Sequence, residues 1–268
     1  MIKADLHLHS LFSDGTSTIQ QLVACAKQKE MDFIALTDHD NCSGVAEFLR
    51  IAKQNNILAC SGIEFSASGE KEVHILGYNI NIANESFNKT ILAVLEKRTE
   101  RINTIIEKLK KFNINITLNQ KECIGRMHIA KAMVAGGYVY SVADAFNRYL
   151  AKGKLAYTPS YRLTPKDAIE AITNAGGRAV LAHPLALQKQ YDLQAILQEF
   201  IGYGLSGLEV CYGNYNQEEK ALLLGYANHN NLFATGGSDY HGENKTTEIG
   251  EGNFCVDIEK LKRYIFGE

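Results

Sequence analysis

Proline is scarce in this chain, 3 residues among 268, and its 22 glycines follow no fixed period. Neither a collagen-like nor a proline-rich disordered class fits. No charge of one sign dominates: Lys+Arg is 28 and Asp+Glu is 30, a formal charge of −2. A near-neutral chain offers no broad basic field for coating duplex nucleic acid, though a short or single nucleotide held by local contacts stays open. The 6 cysteines, at 25, 42, 60, 123, 211 and 255, form no C-x-x-C pair. Neither a zinc ribbon nor a thioredoxin-like site is indicated, and they read as reduced, mostly buried thiols. No apolar run reaches the length of a membrane span. The start Met1-Ile2-Lys3-Ala4-Asp5 lacks the apolar stretch of a secretory signal, so the expectation is a cytoplasmic protein. There is no Walker A sequence. Gly202-Tyr203-Gly204-Leu205-Ser206-Gly207 satisfies G-x-G-x-x-G, but it precedes a strand where a dinucleotide site needs it to follow one. What is present is an ordinary globular composition, 46% hydrophobic and 22% charged. The length suits one large core, or one core with an inserted subdomain.

Short β-rich apolar runs alternate with helical patterns. The runs predict strands over Ile2–Leu6, Phe33–Leu36, Leu58–Ile63, Val73–Tyr78, Arg178–Ala182, Gly207–Cys211 and Leu232–Thr235. Helices are predicted over Thr18–Lys29, Val45–Asn55, Pro165–Ala175, Leu193–Tyr203 and Gln217–Asn228. At Thr164-Pro165-Lys166-Asp167, Thr can cap, Pro suits the first helical position and Asp the first turn. Such alternation predicts an α/β fold with a largely parallel sheet or barrel. The middle breaks the rhythm. Ile91, Leu95, Ile102, Ile105, Ile106 and Leu109 mark one long helix from about Glu85 to Phe112, and more helix follows over His128–Ala135 and Val142–Leu150. This reads as an all-helical insertion.

The residues able to do chemistry gather at strand ends. In His7-Leu8-His9, strand alternation points both imidazoles one way, a ready metal chelate. Asp14 lies in Ser13-Asp14-Gly15, whose simplest reading is a turn. Thr37-Asp38-His39-Asp40 follows the second strand, where one flanking carboxylate can orient His39 while it binds metal. Glu64 ends the third strand, and His183 follows Ala179–Ala182. Asp239 and His241, after Gly236-Gly237, repeat the i, i+2 pairing. Of the 8 histidines, His7, His9, His39, His183 and His241 sit at carboxyl ends of predicted strands, where α/β barrels place active sites. His74 lies near the start of its strand and fits only if that strand is antiparallel or bent. His229 reads as a surface residue. Cys211, at a strand end beside the ring, reads as a small core residue.

The segments Asp5-Leu6-His7-Leu8-His9-Ser10, Ser13-Asp14-Gly15, Thr37-Asp38-His39-Asp40, Gly62-Ile63-Glu64, His74-Ile75-Leu76-Gly77-Tyr78, Ala182-His183-Pro184 and Gly237-Ser238-Asp239-Tyr240-His241 resemble the PHP family. This is the polymerase and histidinol phosphatase superfamily of metal-dependent phosphoesterases. The insertion, with Gly125-Arg126-Met127-His128-Ile129-Ala130 and Ala156-Tyr157-Thr158-Pro159, is similar to a subgroup that removes phosphate from nucleotides, including 3′,5′-bisphosphates, or trims RNA ends. Met127 stands where that pattern has Pro. The resemblance implies a distorted (β/α)7, TIM-like barrel over residues 1–84 and 160–268, with residues 85–159 as a helical insertion or cap. It implies two or three divalent ions, Mn, Fe or Zn. His7, His9, Glu64 and Asp239 would hold one, and Asp14, His39 and His241 a second, with Glu64 bridging. His74 and His183, with Glu64, would hold a third. A donor set without thiolate suits these metals.

Phosphate esters resist hydrolysis because an anion repels its nucleophile, and closely spaced divalent ions relieve this. The expected reaction is in-line attack by a metal-bridging hydroxide, with His183 or His128 protonating the leaving oxygen. Candidate catalytic residues are therefore His183, His128 and Asp38. For His128 a plain helix-start role is an equal reading. Arg126, Arg162 and His128 are candidates for holding phosphate, with solvated surface arginine as the rival reading, and Tyr157 and Tyr161 could stack on a base. The expected partner is a small phosphorylated substrate, a nucleotide or short RNA end. Duplex DNA, membranes and an obligate protein partner are not expected. The alternatives are a small-metabolite phosphatase, such as one for histidinol phosphate, and a non-catalytic metal-stabilised binding module. The second gains nothing from keeping so many costly polar ligands.

Overall fold

The computed structural model describes residues 1–68, 72–118, 125–188 and 191–267. The chain divides into two compact units, Met1–Thr90 with Leu163–Glu268, and Ile91–Arg162. The first contains β1 (Ile2–Leu8), α1 (Ile19–Gln28), β2 (Phe33–Leu36), α2 (Val45–Gln54), β3 (Leu58–Cys60), β4 (Gly62–Ser68) and β5 (Glu72–Tyr78). Next, α3 (Glu85–Lys110) leads into the second unit, which holds α4 (Arg126–Ala135), α5 (Val142–Ala145) and a π-helical turn, Phe146–Leu150. The first unit resumes with α6 (Pro165–Asn174), β6 (Arg178–Leu181), α7 (Leu185–Gln188), α8 (Leu193–Gly202), β7 (Leu205–Tyr212), α9 (Gln217–His229) and β8 (Phe233–Gly237). It closes with β9 (Cys255–Val256) and α10 (Ile258–Phe266).

Local chemistry starts and orients these elements. Thr18 accepts from the Gln21 amide while the Gln21 side chain accepts from the Thr18 amide, capping α1. Thr164 caps α6 through the Asp167 amide, with Pro165 at the first helical position. The buried faces of α1 (Leu22, Val23, Ala26) and α2 (Phe48, Ile51, Ala52) pack on Leu8, Ile34 and Leu36. Each large side chain buried there stabilises by about 1.5–3 kcal/mol. In the second unit, Ile102, Ile105 and Leu109 of α3 pack with Ile129, Met133 and Leu150.

The strands form two sheets, ordered β3-β2-β1-β9 and β4-β5-β6-β7-β8. The expectation of a largely parallel arrangement needs correcting around β5, which runs antiparallel to both β4 and β6. Only residues 69–71 separate β4 from β5, too few for the crossover that parallel strands require. This reversal brings the start of β5, and His74 with it, to the end where the parallel strands finish. The single predicted strand Leu58–Ile63 is likewise two strands in different sheets. Between them the Ser61 hydroxyl donates to the Ile80 carbonyl at 2.8 Å. Gly62 lies so close to β2 that an added Cβ would meet the Leu36 carbonyl oxygen at 2.5 Å. Isolated bridges Leu8–Tyr240 and His39–Glu64 link strand ends of one sheet to the other.

Among the described cysteines only Cys60 is fully buried, which corrects the expectation of mostly buried thiols. Cys255 is exposed because it lies on the two-residue strand β9; Cys123 lies outside the described residues. The Gly202–Gly207 segment is the turn from α8 into β7, with Gly204 at φ 108°. Among the described residues no helix is long and apolar enough to cross a membrane.

Candidate metal centre

The side chains of Asp5, His7 and His9 alternate onto one face of β1 and its extension, and all three are buried. Asp5 braces the backbone, accepting from the amides of His7 (3.3 Å), Ser238 (3.0 Å) and Gly250 (2.8 Å). It thereby fixes the loop that carries Asp239. Gly237 permits the approach of β8 to β1: an added Cβ would lie 2.6 Å from the His7 backbone nitrogen.

Glu64 is the hub. Its Oε2 lies 3.3 Å from His7 Nε2, 3.1 Å from His9 Nε2 and 3.2 Å from His39 Nδ1. Its Oε1 lies 2.8 Å from His74 Nδ1 and 3.2 Å from His183 Nε2. Asp239 Oδ1 faces His7 and His9 Nε2 at 3.5 and 3.3 Å. Asp14 Oδ1 is 3.1 Å from His241 Nε2. Three sets of donor atoms gather within 4.8 Å: His7, His9, Glu64 and Asp239; His9, Asp14, His39 and His241; and His39, Glu64 and His74. His183 stands outside these sets and reaches the cluster through Glu64. Asp40, His183 and Asp239 have φ of 52°, 31° and 54°, left-handed conformations that cluster at the site.

The donor atoms fit a cation. His7 Nε2, His9 Nε2, Asp14 Oδ1 and Glu64 Oε2 are buried without a hydrogen bond of good geometry, yet they converge. Isolated, each would be costly; together they form a nitrogen–oxygen cage. Electrostatics separates the imidazoles. Burial opposes charge on His9, but Asp239 and Glu64 push its pKa up to about 9. His7 is raised well above its ordinary value, burial being outweighed by Glu209, Glu64 and Asp239. Burial pushes His39 down to about 3. For Glu64 and Asp239, burial is overcome by neighbouring histidines, and both carboxyls are held well below the usual range. In the metal-free protein, protons on His7 and His9 supply the positive charge a cation would bring.

The PHP domain family matches residues 5–160, more than half the chain. The chain belongs to the PHP family. PHP relatives include the 5′-3′ exoribonuclease Rnm of Escherichia coli, 33% identical, covering 92% of this chain and 87% of that protein. The 3′,5′-nucleoside bisphosphate phosphatase of Chromobacterium violaceum is 31% identical, covering 90% of this chain and 88% of that protein. A solved PHP-like structure from Bifidobacterium adolescentis, assigned as a metal-dependent phosphoesterase, superposes with a TM-score of 0.83 at 29% identity. It covers 97% of this chain and 94% of that chain.

Around the PHP cluster, outer partners fix ring orientation. Nδ1 of His7 meets Glu209 Oε1 at 2.9 Å, and Nδ1 of His241 meets the Asp239 carbonyl at 2.9 Å. The Ser13 hydroxyl, 3.5 Å from His9 Nδ1, donates to Asp38 Oδ1 at 2.5 Å. Asp38 also accepts from the Ser10 amide and hydroxyl, so its carboxylate braces the segment after β1. Asp239 Oδ2 accepts from the Tyr212 hydroxyl at 2.8 Å and from the Lys245 ammonium. His39, Glu64, His74, His183, Tyr212, Tyr215, Asp239 and Lys245 line a cleft of about 380 Å³. His229 lies exposed at the end of α9.

In the second unit, the Gly125 amide donates to His128 Nδ1 at 3.1 Å at the start of α4. Arg126 donates to the Leu150 carbonyl and lies over the Phe146 ring. Arg101 is half-buried, and burial together with the neighbouring charges of Arg126, Arg162 and Arg98 lowers its pKa to about 10. Four guanidinium groups are therefore gathered in one unit. The sequence did not single out Arg98, Arg101, Glu209, Tyr212 or Lys245. Of these only Glu209 leaves a signal in one dimension: an acid inside the apolar run Gly207–Cys211 must find a partner.

Proposed function

We propose that this metal-dependent phosphoesterase removes phosphate from nucleotides, with nucleoside 3′,5′-bisphosphates and the 5′ ends of short RNA as its substrates. The observation that carries the reading is Glu64: one buried carboxylate whose two oxygens face five imidazoles from four separate segments of the chain. No packing requirement explains such convergence. The bridges Leu8–Tyr240 and His39–Glu64 support reading the two sheets as a distorted (β/α)7 barrel, with residues 85–159 as its helical insertion. Free thiols at Cys25, Cys42, Cys60, Cys211 and Cys255 favour a reducing, cytoplasmic setting.

In this reading His7, His9, Glu64 and Asp239 hold one divalent ion, and Asp14, His39 and His241 a second. His74 and His183 hold a third when one is present. Imidazole and carboxylate donors fit Mn, Fe or Zn. When bound, such ions lower the pKa of water and neutralise phosphoryl oxygens. The chain's own residues do the rest. His183, at the rim of the cleft, gives its proton to the leaving oxygen, with His128 as the second candidate. In the second unit, Arg126 and Arg162, with Arg98 and Arg101 near them, are the candidate phosphate-binding groups, because guanidinium forks match phosphate oxygens. The likeness to an exoribonuclease and to a nucleoside bisphosphate phosphatase favours a nucleotide over a small metabolite.

The test is a screen with Mn²⁺ added. The substrates are nucleoside 3′,5′-bisphosphates, 5′-monophosphates, short 5′-phosphorylated RNA and histidinol phosphate. The bisphosphates or RNA ends are expected to show the highest kcat/KM. Preference for histidinol phosphate would replace the substrate assignment, and no turnover of any ester by metal-loaded protein would overturn the function.

A further inference from the structure

We propose that Glu209 is the positioning residue of the centre, a single carboxylate that selects the metal-binding nitrogen of His7 and holds the backbone of His183. The proposal deepens the metal-centre reading above and rests on it. Glu209 lies midway along β7 and is fully buried between Leu208 and Val210. A carboxylate so placed needs hydrogen-bond donors. The two that meet it both belong to candidate ligands. Oε1 is 2.9 Å from His7 Nδ1, and Oε2 accepts from the His183 amide at 2.7 Å. Neither contact is local, the separations being 202 and 26 residues.

Each contact has a consequence. A carboxylate only accepts, so His7 must keep its proton on Nδ1. The nitrogen left open to a cation is then Nε2, which points at Glu64 Oε2 (3.3 Å) and Asp239 Oδ1 (3.5 Å). At His183, the bond to Oε2 secures a residue with φ of 31°, a conformation that costs free energy and persists only where its surroundings impose it. That backbone sets the His183 ring 3.2 Å from Glu64 Oε1. Glu209 thus ties a ligand on β1 to one after β6, on opposite oxygens of Glu64.

Glu209→Gln tests this with almost no change of shape. An amide has one acceptor and one donor end, so it cannot serve both partners. With its oxygen toward His7, its NH2 opposes the His183 amide. Flipped, it faces Nδ1 with a donor and drives the proton to Nε2, closing that nitrogen to metal. Chelator-competition titration with Zn²⁺ alone is expected to show binding weakened about 10- to 100-fold, the range for outer partners of a ligand. In the metal-free parent, ¹⁵N-resolved NMR is expected to show a low-field His7 Nδ1–H resonance that Glu209→Gln removes. Glu209→Asp keeps the charge but withdraws it by one methylene, and is expected to weaken Zn²⁺ binding as well. Parental Zn²⁺ affinity in either variant, or a His7 resonance missing from the parent or unchanged in Glu209→Gln, overturns the proposal. A general packing role would lower the melting temperature of the metal-free protein without moving that resonance. A parent that takes up no Zn²⁺ would refute the metal-centre reading instead, while the resonance still decides the role of Glu209.

Discussion

Stripping the metal should make stability fall as pH rises, the reverse of what the loaded enzyme does. His9 has its folded pKa raised to about 9, against about 6.5 in an unfolded chain. A raised pKa contributes stability that is fully present below about pH 6.5 and is lost as pH climbs through 9. Across this window the folded state holds more protons than the unfolded one. The shift of about 2.5 units at about 1.4 kcal/mol each comes to about 3 kcal/mol. His7 is shifted the same way. His39, depressed to about 3, acts only below pH 6.5, where it favours unfolding as pH drops. At about 2–4 °C per kcal/mol for a unit of this size, the melting temperature should decline by about 6–12 °C between pH 6.5 and 9. In the loaded enzyme the imidazoles must shed those protons to bind, so metal stabilisation grows with pH. Calorimetry of EDTA-dialysed and Zn²⁺-loaded protein across this range checks both slopes. A flat or rising profile for the stripped protein would refute protonated His7 and His9 as the stand-ins for cations, and identical profiles would refute metal uptake.

Other perturbations give separate checks. His39→Ala should leave a folded protein, by circular dichroism, whose phosphatase turnover is lost; unchanged turnover would remove His39 from the site. Metal analysis of protein purified without chelator should find at least two transition-metal ions per chain. Gly237→Ala forces a Cβ against His7 and should destabilise by about 1–3 kcal/mol. It should also lower metal content, which calorimetry and elemental analysis would show together. Arg126→Ala should raise KM for a nucleoside bisphosphate about 10-fold or more, as expected for losing a charge-assisted contact. Its stability cost should be only about 1 kcal/mol, from the bond to the Leu150 carbonyl. An unchanged KM would return Arg126 to a structural role.

Much of the fold was legible because apolar periodicity is a local signal. β2 falls on Phe33–Leu36 as expected, and α1, α2, α6 and α9 end within a residue or so of their predicted bounds. The candidate ligands were legible for a related reason. Most of them end or follow a recognisable run, Asp14 and His74 being the exceptions, and His7/His9 and Asp239/His241 repeat one spacing. His74 made sense only once β5 was seen to run backwards, although the short link from β4 already forbade a crossover. β9 leaves almost no pattern because it has two residues, whereas α10 carries a readable stripe, Ile258, Leu261 and Ile265, at helical spacing. Glu209 was invisible in its role, since a lone acid in a strand says that it needs partners but not which ones. The grouping of Arg98 and Arg101 with Arg126 and Arg162 is a tertiary fact with no counterpart in spacing.

The bridge between Leu8 and Tyr240 also sets when the centre can exist. A ribosome makes β1 well before β8, and in that interval His7 and His9 have neither Asp239 nor His241 beside them. The nascent chain therefore offers scattered imidazoles of low affinity, and the high-affinity cage closes only after residue 241 has emerged and β8 has docked. Contacts spanning so much of the chain form slowly. The newborn protein should thus meet the cell's metal pool mainly as a finished fold, which lets geometry, and not the first ion to arrive, decide what is bound.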